Sequence, residues 1–363
     1  MSKIEQLHEL GQSMWLDHVR RSFTRSGELA RLVEQGLRGV TSNPTIFDKA
    51  ISGNDDYDED LRAVAKHAES PEAAFEQLAI TDIREASDVL RPVYEESGFA
   101  DGFVSLEVSP RLAHDTEDTI ASAKRLFASV DRPNTMIKIP ATPEGIPAIR
   151  SAIAAGINVN VTLIFSLAHY EAVTQAYIAG LEELLSCGGD PSRTSSVASF
   201  FVSRIDVAVE KRLAELGAEP VGRSIAVDNA RLAYVRYGEI FAGDRWSRLT
   251  ASGARTQRLL WASTGTKSDA LPDTFYVDEL IGGPTVNTVP RPTLDAFVDH
   301  GTVAPTLERD VSGARDRMAQ LARIGVDFEQ ITADLQDAGV ESFAESYASL
   351  LSGVEAKMDR LGR

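Results

Sequence analysis

Asn134-Thr135-Met136-Ile137-Lys138-Ile139-Pro140-Ala141-Thr142-Pro143 reads as a buried strand with a charge inside it. The apolar run from Met136 to Pro140 is opened by Asn134-Thr135 and closed by turn-forming residues, as expected for a strand inside a sheet. Lysine is almost never fully buried unless it is paired or used chemically. Burial disfavours an ammonium, and a neutral amine is a nucleophile that forms a Schiff base with a carbonyl compound. The alternative is a lysine whose stem packs at a strand end while its head reaches water.

Working outward, short apolar segments alternate with longer amphipathic ones, which predicts βα units around a parallel sheet. Candidate strands span 13–17, 39–42, 103–108, 135–140, 158–164, 196–202, 258–262 and 274–279, and helices are predicted at 27–36, 115–129 and 167–185. Eight strands are the number that closes a (β/α)8, or TIM, barrel. No Pro/Gly/Ser-rich linker divides the chain, so one domain over 1–363 is expected. Two stretches exceed a minimal barrel: an acidic helical insertion at about 52–92, and a helical tail from about 306 to 363. The tail carries Met318, Leu321, Ile324, Phe328, Ile331, Leu335, Phe343, Tyr347 and Leu350 at near-helical spacing. Both are read as helices added to the barrel exterior, with the apolar stripe packing on it.

A formal charge of −17 and the lack of a Lys/Arg stripe argue against a nucleic-acid partner. An anionic substrate would then need a locally positive pocket. The single Cys187 excludes an internal disulfide framework and most zinc patterns, and is read as a passive thiol near a helix end. The N-terminus lacks the basic and apolar regions of a secretory signal, and no apolar stretch has the length of a membrane span. The expectation is a soluble cytoplasmic protein with no membrane partner, a monomer or homodimer.

Active sites of (β/α)8 barrels lie at the C-terminal ends of the strands. Those ends carry Asp17, Asn43, Glu107, Lys138, Asn160, Thr162 and Ser199, with Arg204 just beyond. Period-two alternation puts Asn158, Asn160 and Thr162 on one face of their strand, and separates Ser105 and Glu107 from Leu106 and Val108. Lys138 shares a face with Met136 and Pro140, while Ile137 and Ile139 point to the outer helices. Unpartnered buried polar groups are costly, so several strands turning carboxylates, amides and hydroxyls inward predict one shared site. Taken singly, each also reads as a local device: Asp17 as a helix N-cap, Asn43-Pro44 as a turn starter. The set fits Schiff-base catalysis, in which Lys138 attacks a ketone and the protonated imine drains electrons from the adjacent carbon–carbon bond. Asp17 and Glu107 can divide the proton transfers. Neither His pairs nor carboxylate clusters at metal-ligand spacing stand near these strands.

At these residues the chain resembles the transaldolase family, class I Schiff-base enzymes of the pentose phosphate pathway. The matching segments are Trp15-Leu16-Asp17, Thr41-Ser42-Asn43-Pro44-Thr45, Ser105-Leu106-Glu107-Val108, the run from Met136 to Thr142, the run from Asn160 to Ser166, and the run from Ser199 to Ile205. The resemblance implies a transferase that moves a dihydroxyacetone unit from sedoheptulose 7-phosphate to glyceraldehyde 3-phosphate, without metal or organic cofactor. Carried over by position, Lys138 forms the Schiff base and Asp17 is the acid/base for bond cleavage. Glu107 and Thr162 hold a catalytic water. Asn43, Asn160 and Ser199 bind the dihydroxyacetone unit, and Arg204 binds phosphate. The family's better-known members have a second phosphate arginine after an Ala-Ser pair. Here that segment is Ala262-Ser263-Thr264-Gly265-Thr266-Lys267, so Lys267 is expected to supply the charge, with an ordinary solvated loop lysine as the alternative.

Two other readings compete. A fructose-6-phosphate aldolase, a smaller relative, typically has glutamine where Glu107 stands and tyrosine where Phe201 stands. A non-catalytic sugar-phosphate-binding barrel would be signalled by loss of Lys138, Asp17 or Glu107, and all three are present.

Overall fold

Eight parallel strands close on themselves in chain order. They are β1 (Gln12–Asp17), β2 (Gly39–Thr41), β3 (Phe103–Glu107), β4 (Thr135–Pro140), β5 (Val159–Ile164), β6 (Ser196–Phe201), β7 (Arg258–Ala262) and β8 (Thr285–Val289). Each pairs with the next, and β8 returns to β1. The computed structural model describes residues 1–267 and 270–362. Parallel pairing requires crossovers, and helices supply them, including Glu28–Glu34, Thr116–Val130 and Leu167–Ser186. Their starts are set by side chains: Asp115 accepts from the Asp118 amide at 2.9 Å and Ser166 from the His169 amide at 3.1 Å. Cys187 follows the last of these helices and is exposed.

Seven of the expected strands coincide with observed ones to within one residue at either end. The eighth does not. Segment 274–279 contains the helix Phe275–Glu279, and the closing strand is Thr285–Val289. Thr274-Phe275-Tyr276-Val277 has the composition of a strand, but a short, fully buried apolar run does not reveal its period. Local bonds favour the helix: the Asp278 amide donates to the Thr274 carbonyl at 2.9 Å, and the Thr274 hydroxyl to the Asp278 carboxylate at 2.8 Å. The true strand follows Gly282-Gly283-Pro284 and is rich in β-branched residues, signals that were present in the sequence.

The acidic insertion forms the helices Asp58–Val64 and Pro71–Glu96. It is tied to the segment after β1 through Arg21, whose side chain is 2% exposed. Arg21 Nε donates to Asp82 at 2.7 Å and Nη2 to the Leu78 carbonyl at 3.1 Å. The Tyr57 hydroxyl donates to the other Asp82 oxygen at 2.7 Å. The tail forms Val311–Ile324 and Phe328–Arg360. The second of these helices does more than pad the flank, because it crosses the mouth of the barrel. Gln336 Nε2 donates at 3.0 Å to the carbonyls of Ala141 and Leu163, just past β4 and within the end of β5. A side chain at Gly339 would meet Leu163 at 2.8 Å, so glycine permits this close approach. Further along, Ser346 bonds Thr45 at 2.8 Å and Lys357 pairs with Asp58 at 2.7 Å.

Arg21 also pairs with Asp60 at 2.5 Å, so loss of Asp82 does not strand its charge but leaves two buried donors, Arg21 Nε and the Tyr57 hydroxyl, without their acceptor. Asp82→Ala is therefore expected to lower unfolding free energy by about 2–5 kcal/mol, at roughly 1–3 kcal/mol for each unpaired buried donor, read from urea denaturation. A loss below about 1 kcal/mol, the worth of an exposed pair, would show that Arg21 does not depend on Asp82.

Candidate active site

Register places the chemistry. Glu107 of β3 stands beside Lys138 of β4, which stands beside Asn160 of β5, and Pro140 stands beside Thr162. Lys138 is 5% exposed while Ile137 and Ile139 lie in the hydrophobic core. Its Nζ donates to Glu107 Oε2 at 3.2 Å and to the Ser42 carbonyl at 3.3 Å. The Phe343 ring of the C-terminal helix lies 5.3 Å away, a cation–π distance.

Asp17 ends β1. It accepts from the Thr41 hydroxyl at 2.7 Å and, weakly, from Asn43 Nδ2 at 3.5 Å. Asn43 itself caps the helix Pro44–Ser52, accepting from the Ile46 amide at 3.0 Å. The local reading of Asn43 and the functional one thus coexist, since the cap uses the oxygen and leaves the amide nitrogen facing Asp17. Asn160 lies behind the cleft and is engaged at both ends: Nδ2 donates to Ser105 at 3.0 Å, and Ser199 donates to Oδ1 at 2.7 Å. The Thr162 hydroxyl is buried and finds no partner among the described residues.

Asp17, Asn43, Lys138, Thr162, Ser199, Arg204 and Lys267 wall one cleft of about 540 Å³ at the C-terminal ends of the strands. Of the predicted residues only Asn160 and Glu107 are missing from its wall. Arg204 begins the helix after β6 and has only burial acting on it, with no carboxylate opposing. Lys267 is exposed at the edge. Burial pushes the Asp17 carboxyl up, against the lowering pull of Lys138 and the Thr41 hydrogen bond. Burial likewise pushes Glu107 up, again opposed by Lys138. Two carboxyls that hold protons above the usual carboxylate range flank an amine, an arrangement suited to moving protons on and off a carbonyl adduct. Among the described residues, no three or more His, Cys, Asp or Glu side chains gather as a metal site.

Sequence reasoning missed several lining residues: His18, Arg20, Lys49, Thr288, Arg291 and Phe343. Thr288 and Arg291 were hidden by the misplaced eighth strand, whose C-terminal end they mark. His18 and Arg20 follow Asp17 directly and were within reach of a strand-end reading. Phe343 read only as part of the tail's apolar stripe, because its helix joins the site through tertiary packing.

Comparison with known proteins agrees with this geometry. The model of the transaldolase/fructose-6-phosphate aldolase family matches residues 14–354. A protein named transaldolase from Thermobifida fusca is 50% identical over 363 residues, covering 98% of each chain. One of the same name from Parafrankia sp. is 50% identical over 364 residues and 99% of each chain. Another, from Thiobacillus denitrificans, is 46% identical over 98% of this chain and all of its own. No helix among the described residues is long and apolar enough to cross a membrane. With its eight-stranded barrel and a match running nearly end to end, the chain belongs to the transaldolase/fructose-6-phosphate aldolase family.

Proposed function

We propose that this protein is a transaldolase that moves dihydroxyacetone from sedoheptulose 7-phosphate to glyceraldehyde 3-phosphate through a Schiff base on Lys138, giving erythrose 4-phosphate and fructose 6-phosphate. The observation that carries the reading is the buried Lys138 Nζ at 3.2 Å from Glu107, with Asp17 on the same cleft. We take the chain as one domain acting in the cytoplasm.

The steps follow from the groups at hand. Glu107, raised by burial, can hold the proton that the amine sheds before attack. Lys138 adds to the ketone carbon, and Glu107 returns a proton to the carbinolamine hydroxyl, which leaves as water. Asp17 takes the proton of the hydroxyl at the bond to be broken, and the iminium receives the electron pair. The first aldose departs, the enamine attacks the incoming aldehyde, and Asp17 gives its proton back. The unpartnered Thr162 hydroxyl is free to hold the water of the relay. Asn43 and Ser199 face the dihydroxyacetone unit. Asn160 reaches it only by exchanging a bond it now makes to Ser199 or Ser105. Arg204 and Lys267 receive phosphate, where a guanidinium suits the anion. Transfer is favoured over simple aldol cleavage by the carboxylate at 107 and the non-hydroxylated ring of Phe201, positions where the aldolases typically carry glutamine and tyrosine.

Lys138→Ala is expected to abolish both turnover and the adduct trapped by borohydride with fructose 6-phosphate. Asp17→Ala is expected to keep trapping while cleavage slows on the order of 10²–10⁴-fold, the contribution of a positioned acid/base. Cleavage at the wild-type rate would remove Asp17 from that role, and an adduct on a different lysine would end the reading. Arg204→Ala is expected to raise KM for the phosphorylated donor on the order of tenfold to hundredfold, since a charge-assisted bond is worth about 1.5–3 kcal/mol. An unchanged KM in Lys267→Ala would exclude that lysine from phosphate binding. The pH dependence has a definite sign. Asp17 must be ionised to act as base, and its raised pKa keeps it protonated to higher pH. Activity is thus lost as pH falls through a limb above 3.8, the ordinary aspartate value. A kcat profile flat down to pH 3.8 would contradict this.

A further inference from the structure

Glu107 does not open onto the cleft that holds the sugar-facing residues. It lines a second cleft of about 640 Å³ on the flank of the barrel, between the helices Pro71–Glu96, Thr116–Val130 and Phe328–Arg360. Lys138 lines the first cleft and not the second. Their 3.2 Å hydrogen bond therefore stands between the two spaces, beside a small cavity of about 20 Å³ that Glu107 lines with Ser42 and Asn43. The C-terminal helix straddles the same boundary, with Phe343 on the wall of the first cleft and Tyr347, one turn on, lining the second.

The two spaces differ in charge. The strand-end cleft has Arg204 with no opposing carboxylate. In the flank cleft both arginines are engaged, Arg125 with Glu76 and Arg111 with Glu72 at 3.8 Å. Glu72 also accepts from the Tyr347 hydroxyl at 2.7 Å. With Glu72, Glu76, Glu107 and Asp118 set against Arg111 and Arg125, the flank cleft carries an excess of acid and offers a sugar phosphate no free guanidinium, while a water molecule needs only hydrogen-bond partners.

We propose that the flank cleft is a water and proton passage to Glu107, separate from the entrance used by the sugars. The inference rests on the Schiff-base reading and deepens it. Imine formation joins Lys138 Nζ to the carbonyl carbon, breaks the carbon–oxygen bond and releases one water, with Glu107 donating the proton that the leaving hydroxyl needs. Release of product runs the same step backwards and consumes one water. A sugar fills the strand-end cleft at both moments. Glu107, whose side chain is 7% exposed, reaches the flank cleft without crossing the sugar.

The reaction itself supplies the test. Each cycle of imine formation and hydrolysis on fructose 6-phosphate exchanges the ketone oxygen with solvent, so uptake of oxygen-18 from labelled water reads traffic to the site. Ala73→Trp and Ser122→Trp place an indole on opposite lips of the flank cleft, at half-exposed positions. Oxygen exchange and kcat are expected to fall together on the order of tenfold, less than the 10²–10⁴ lost with an acid/base group itself. KM for the donor and the final yield of borohydride-trapped adduct on Lys138 are expected to hold. If the tryptophan variants do not fold, Ser122→Cys in a Cys187→Ser background, labelled with a bulky thiol reagent after folding, plugs the same lip. Exchange at the wild-type rate in the plugged enzyme overturns the passage. A raised KM with unchanged exchange also overturns it, by showing that the flank admits sugar. Failure of the unmodified enzyme to trap an adduct on Lys138 would instead bring down the Schiff-base reading itself.

Discussion

A primary amine held inside a barrel must be given partners, because a buried charge without them costs several kcal/mol. Much of the mouth of this barrel is arranged by that requirement. The parallel register of β3, β4 and β5 brings a carboxylate to one side of Lys138 and an amide to the other. The turn after β2 offers the Ser42 carbonyl, and the C-terminal helix lays an aromatic face over the amine. Under the Schiff-base mechanism we propose, each partner is one that the amine would leave, or share, on bonding to carbon. The groups that make Lys138 tolerable in the resting protein would then also set its reactivity.

The carboxyls obey the same constraint from the other side. Asp17 and Glu107 are both pushed towards their protonated forms by burial, and both are restrained by the amine between them. Asp17 lines the strand-end cleft and Glu107 the flank cleft, so the two are divided by position. A symmetrical pair on one wall would compete for the same proton. Here the barrel curvature that separates β1 from β3 keeps the two carboxyls apart.

Much of this was legible in the sequence, and the exceptions have physical causes. Lys138 in its apolar run, and the in-phase polar residues of β1 to β6, announce themselves because strand alternation is a local property. Segment 274–279 misled for the complementary reason: Thr274 to Val277 are all buried, so period vanishes as a signal, and the Thr274–Asp278 hydrogen bonds decide. Asn160 was rightly placed near Lys138, but its engagement with Ser105 and Ser199 depends on how far across the barrel each side chain reaches. Phe343 was legible only as a member of an apolar stripe. That this stripe covers the mouth, and not the flank, is fixed by Gln336 binding two strand-end carbonyls and by the space left at Gly339.

The order of these parts along the chain has a consequence for biogenesis. All eight strands precede Phe343 in sequence, and chains are made and fold from the N-terminus. The covering helix is thus the last piece to emerge, and it shelters an amine set in a barrel whose final strand ends at Val289. Until that helix docks, Lys138 lacks the aromatic face of Phe343, and the barrel mouth lacks the Gln336 bonds to Ala141 and Leu163.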